Sequence, residues 1–120
     1  MTFLLLFLLF AKHWIADFVL QFEYMIKEKG QYGVRGGIEH AILHGILTAI
    51  ILLVFLNDLL PAAIFGALDG IIHYHIDYVK ARWGSRDIHT QKFWIQIGAD
   101  QFAHATFYIW LSWILLPVLY

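Results

Sequence analysis

Four stretches of the chain, at about 1–22, 38–56, 59–79 and 93–119, are each apolar over close to the 20 or so residues that carry an α-helix across a bilayer. Inside lipid every backbone N–H and C=O must be satisfied within the spanning structure, and segments this long do so as helices. The expected fold is therefore all-α: an integral membrane four-helix bundle, antiparallel and up-down, forming a single transmembrane domain over residues 1–120. Composition agrees. Of all residues 61% are hydrophobic and only 14% charged, against roughly 45–50% and about 25% in a soluble domain. A formal net charge of −1 gives no reason to expect nucleic acid as a partner. Cysteine is absent, so any metal has to be held by imidazole and carboxylate, which suit zinc, manganese and iron.

The connections set the expected orientation. Lys27, Lys29 and Arg35 lie in the first, and Lys80, Arg82, Arg86 and Lys92 lie in or at the edge of the third, while the second, Asn57-Asp58, carries no basic residue. The positive-inside rule then puts connections one and three in the cytoplasm and both termini outside it. The amino terminus lacks a basic start and a small-residue cleavage site before Lys12, and is expected to be a retained first span. The glycine-rich first connection, 23–37, matches no phosphate-loop pattern and is expected to be a flexible linker. Lys80 is expected to act as the cytoplasmic anchor of the third span.

The first span is only marginally hydrophobic. Thirteen Leu, Ile, Phe and Val residues at roughly −0.3 to −0.6 kcal/mol each are offset by Lys12 and Asp17 at roughly +2.5 to +3.5 each. Its polar groups need partners inside the bundle. They have candidates, because every span carries ionisable residues four apart: His13 and Asp17, His40 and His44, Asp69 with His73 and Asp77, and Asp100 and His104. Residues at i and i+4 share a helix face. Gln21 and Gln96 would extend the first and last rows. Counted from the cytoplasmic helix ends, Asp17, His44, His73 and Asp100 fall at one depth, and His13, Asp69 and His104 about one turn deeper, roughly 6 Å. Asp77 and His40 fall near the mouth.

Nine ligand-type residues converging in one half of a bundle suffice for two divalent ions, zinc, manganese or iron, with positions left for water or substrate. Four buried carboxylates without a compensating cation would cost several kcal/mol each. Asp17 and Asp100 are the candidate catalytic carboxylates. Lys12, deep in its span, is expected either to pair with an Asp or to stabilise a developing oxyanion. His75 points away from the row and suits packing, and His89 suits solvent. Gly66 and Gly70, with Gly45 opposite, form the small-residue pattern that lets helix backbones approach closely.

The chain resembles the bacterial and phage membrane family called domain of unknown function 3307. The likeness is carried by His13-x-x-x-Asp17-Phe18-x-Leu20-Gln21, His40-x-x-x-His44, Asp69-x-x-x-His73-x-x-x-Asp77-Tyr78-x-Lys80, and Asp100-Gln101-x-x-His104. The pattern is also similar to membrane-bound metal-dependent hydrolases of the YdjM type and, more distantly, to zinc-dependent phospholipase C. These likenesses imply a bacterial inner membrane, metals held by His and Asp, and phosphoester hydrolysis.

The expectation is thus a membrane-embedded metal-dependent hydrolase acting on a phosphoester of a lipid or amphiphile near the cytoplasmic face. A metal or proton transporter is a rival, although the other halves of the spans are nearly all Leu, Ile, Phe and Trp. A structural or interaction module with a fully ligated ion is another. The residues leave homo-oligomerisation open.

Overall fold

The structure is a computed structural model describing all 120 residues. Helix α1 spans Thr2–Trp14 and passes directly into a π-helical turn, Ile15–Val19; α2 spans Glu23–Glu28, α3 Arg35–Leu56, α4 Leu59–Trp83 and α5 Gln91–Leu119. α1 with its π turn, α3, α4 and α5 are each long and apolar enough to cross a membrane. There is no strand, so the all-α bundle is observed.

The turns follow from their residues. Asn57 ends α3 in the left-handed conformation, φ 50°, which asparagine tolerates better than most residues. Asp58 then caps α4, its side chain accepting from the Leu60 N–H at 3.0 Å, and Thr90 caps α5 by accepting from the Phe93 N–H. Successive long helices run antiparallel around a ring in the order α1, α3, α4, α5. The α3–α4 contact is by far the most extensive, and glycine is the reason: a Cβ at Gly45 would lie 2.8 Å from the Gly66 carbonyl oxygen, and one at Gly66 would lie 2.6 Å from that of Gly45. The close approach expected of Gly45, Gly66 and Gly70 is present.

Two expectations change. The first span is not one α-helix, since the π turn replaces its last part and residues 20–22 leave the helix. The first connection is not a plain linker, because it folds into α2, which packs on α3.

The bundle has two unlike ends. At one, Leu5, Leu9, Leu52, Ala62, Leu111 and Leu115 form a dry core with Phe107 and Tyr108. At the other, where α1 ends, α3 begins, α4 ends and α5 begins, His, Asp and Lys are buried among a few small or apolar residues such as Ala16, Met25 and Ala41.

Candidate metal centre

The π turn positions Asp17. An α-helix advances 100° per residue, which carries Asp17 away from the face shared by Leu5, Leu9 and Lys12. The wider π turn, closed by the Leu20 N–H donating to the Ile15 carbonyl at 2.9 Å, advances less per residue and turns Asp17 back toward the bundle axis. There its Oδ1 lies 3.0 Å from His44 Nε2, 3.1 Å from His40 Nε2 and 3.5 Å from His73 Nε2, while Oδ2 lies 3.1 Å from His13 Nε2. Single-turn π segments occur frequently at functional sites.

Hydrogen bonding divides these histidines into two kinds. His44 Nδ1 faces the Lys12 ammonium at 3.2 Å. An ammonium only donates, so Nδ1 accepts, and Nε2 carries the proton and donates to Asp17. His13 Nε2 sits between two acceptors, Asp17 Oδ2 and Gln101 Oε1 at 3.2 Å, so it too carries a proton, with Nδ1 against the Tyr108 hydroxyl at 3.1 Å. Both rings orient Asp17. His40 and His73 differ: their Nδ1 atoms are buried with no protein partner, and nothing there fixes the tautomer.

The Nε2 atoms of His40 and His73 face each other at 3.1 Å, and each lies 3.4 Å from Asp77 Oδ2. Together with Asp17 Oδ1 they make a compact four-atom set. Five of its six separations run from 3.1 to 3.5 Å, and the sixth, between Asp17 and Asp77, is within 4.8 Å. A tetrahedron with edges of about 3.3 Å has its centre roughly 2.0 Å from each corner, which is the zinc–nitrogen and zinc–oxygen bond length. Beside it lies a three-atom set: His104 Nε2 is 3.6 Å from Asp77 Oδ1 and 3.6 Å from Asp100 Oδ1. All three atoms are buried and lack any hydrogen-bond partner. Asp77 belongs to both sets, one oxygen to each.

Three lysines complete the site. Lys12 donates to Asp69 Oδ2 at 2.5 Å, Lys29 to Asp77 Oδ2 at 3.0 Å, and Lys80 to Asp100 Oδ2 at 2.8 Å. Only Asp17, among the four buried aspartates, has no lysine.

The sequence matches the family described as "Protein of unknown function (DUF3307)" over residues 5–118. The chain belongs to this family. Neither a curated protein nor a solved structure matches it.

In this DUF3307 chain, eight of the nine ligand-type residues read from sequence meet in the two sets or on Asp17: His13, Asp17, His40, His44, His73, Asp77, Asp100 and His104. Asp69 does not. It lies one turn deeper, apart from both sets, where Lys12 and the Thr48 hydroxyl donate to it. Lys12 correspondingly faces Asp69 and His44 and not the three-atom set. The depth layers regroup as well, since His40 and Asp77, expected at the mouth, share one set with Asp17 and His73. Gln21 leaves its row, donating to the Asp17 carbonyl at 2.7 Å and accepting from Lys29 at 2.6 Å. Lys80 is more than an anchor, because it pairs with Asp100. Sequence reasoning passed over Lys29, Tyr108, Gln101 and Thr48 as site residues. For Tyr108 the signal was its position four residues beyond His104.

Proposed function

We propose that this protein is a membrane-embedded, metal-dependent hydrolase of phosphoesters, with the site at the bundle end whose connections carry the basic residues. The observation that carries the reading is the convergence of Asp77 Oδ1, Asp100 Oδ1 and His104 Nε2, three buried atoms without partners, on one point beside a complete four-atom set. Leaving one such atom unmet costs on the order of 1–3 kcal/mol; three aimed together suit a cation. Closed four-ligand sets are typical of structural ions, and three-ligand sets with an open position are typical of catalytic ones. Divalent ions so placed would polarise the phosphoryl oxygens and lower the pKa of water toward neutrality.

Charge supports an anionic substrate. Lys12, Lys29 and Lys80 neutralise Asp69, Asp77 and Asp100, which leaves Asp17 as the one unmatched negative charge. Two divalent ions would then make the buried cluster strongly positive until a phosphate binds. In the net reaction a water oxygen bonds to phosphorus, the bond to the leaving alcohol breaks, and that alcohol oxygen takes a proton from the water. Asp17, oriented by His13 and His44, holds its set in register; Asp77 couples the two sets; Asp100 is kept in place by Lys80 and by the Gln101 amide at 3.0 Å. The positive-inside rule puts this end in the cytoplasm.

Elemental analysis of protein purified without chelators tests the reading. One to two equivalents of a transition metal are expected, with His104→Ala losing one of them together with phosphoester turnover. Protein free of stoichiometric metal overturns it. The four-atom set also fits a purely structural ion, and that reading gains if metal is present while Asp100→Ala and His104→Ala leave metal content unchanged and no phosphoester is turned over.

A further inference from the structure

Two grooves open on the outside of the bundle, and they differ in what they lead to. The larger, about 640 Å³, lies along the α3–α4 contact. No Lys, Arg, Asp or Glu lines it; its polar side chains are Tyr32, Tyr74 and His75 at one end. The second, about 500 Å³, lies between α4 and α5, which touch far less extensively than α3 and α4. Its wall is apolar along Ile76, Val79, Ala99 and Ala103, and it reaches inward to Lys80 and Asp100. Lys80 Nζ lies 2.8 Å from Asp100 Oδ2 and 3.9 Å from Asp77 Oδ1, so the one lysine on the groove, which His75 also lines, stands at the edge of the three-atom set. Trp83 and Gln96 line the end nearest the α4–α5 connection. Tryptophan favours the membrane–water interface, and Ile76 lies two turns deeper, about 10 Å along α4.

We propose that this groove is a lateral portal for a membrane phospholipid, whose phosphate is received by Lys80 beside Asp100 while one acyl chain lies along Ile76, Val79, Ala99 and Ala103. This rests on the hydrolase reading for the fate of the lipid, but not for its binding. Charge complementarity and depth choose the occupant together: the basic group is at the interfacial end, and the apolar wall runs from it toward the bilayer interior. An acyl chain there stays in contact with lipid along the outer face, where Val79 is 53% exposed. The substrate therefore need not leave the bilayer, which would cost about 0.8 kcal/mol for every CH₂ drawn into water.

Photolabelling in lipid nanodiscs tests the portal without relying on turnover. The probes are a phosphatidic acid carrying a diazirine in one acyl chain and the matching diacylglycerol. The phosphatidic acid probe is expected to label Val79 and Ala99 in preference to other outward-facing residues, and the diacylglycerol is not. Lys80→Gln should weaken the phosphatidic acid labelling about tenfold, or about 1.4 kcal/mol. Ala103→Trp, which fills the wall without removing a charge, should abolish it with metal content unchanged. Equal labelling by both probes around the whole bundle overturns the proposal, as does full competition by free glycerol phosphate, which would assign the site to a water-borne anion. Labelling in the groove with no lipid turnover upholds the portal and counts against the hydrolase. Turnover of a water-soluble phosphoester with no groove labelling does the reverse.

Discussion

The two ends of the bundle are built on opposite rules. At the apolar end, Leu5, Leu9, Leu52, Leu111 and Leu115 pack by shape alone, and Ser112 is the one buried polar residue, its hydroxyl unpartnered. At the polar end nearly every buried side chain is held by a named partner, and the exceptions are concentrated in the two ligand sets. Between them runs a belt in which Lys12, Thr48 and Asp69 are bonded together and the Lys12 ammonium lies 4.9 Å over the Tyr108 ring. The difference teaches a division of labour. The leucines set how firmly the helices hold together, and on the proposed reading the His, Asp and Lys residues set what the other end binds. Past the belt no chain of buried polar groups continues, and Ser112 stands alone.

That division can be broken most severely at Asp77. Asp77→Ala removes an oxygen from both sets, so both ions should be lost and phosphoester turnover should fall about 10³-fold, or about 4 kcal/mol; metal analysis showing two ions retained would sink the shared-ligand assignment. At the other end, Leu111→Ala should lower stability by about 3 kcal/mol in a detergent unfolding series while each folded molecule keeps its full metal complement. Metal lost in proportion would show that the ends are not independent. His44→Ala sharpens the distinction among the histidines: an orienting ring should weaken metal binding 10–100-fold yet allow saturation at high metal, whereas failure to saturate would make His44 a ligand. The smallest effect belongs to Ser112→Ala. Removing a hydroxyl that makes no bond should change thermal stability by less than about 0.5 kcal/mol, and a larger loss would reveal a partner for Ser112.

Much of this architecture was legible because it is periodic. Apolar length exposed the four spans, and spacing of four exposed His13 with Asp17, His40 with His44, His73 with Asp77, and Asp100 with His104. What escaped was decided by competition or by aperiodic chain. Asp69 has the right spacing to His73, but at its depth Lys12 is nearer and already cationic, so the carboxylate is taken. Lys29 sits in a connection whose path follows from the docking of α2, where the Tyr24 hydroxyl donates to Glu39 at 2.5 Å and the Gly36 N–H donates to Glu28 at 2.7 Å; no spacing rule predicts that Lys29 returns to Asp77. The division of the histidines, into those with both ring nitrogens partnered and those with a bare Nδ1, depends on which atom faces each nitrogen, and that information is three-dimensional.

The π turn at Ile15–Val19 has one further consequence. It works as a vernier in the first span: the residues before it keep the rotational phase that suits leucine packing, and Asp17, within it, takes a phase of its own. The two ends of that helix can therefore be adjusted separately, so that a residue gained or lost there would re-aim Asp17 without disturbing Leu5 or Leu9. In a chain this small, one irregular turn lets a ligand be tuned without re-tuning the bundle that carries it.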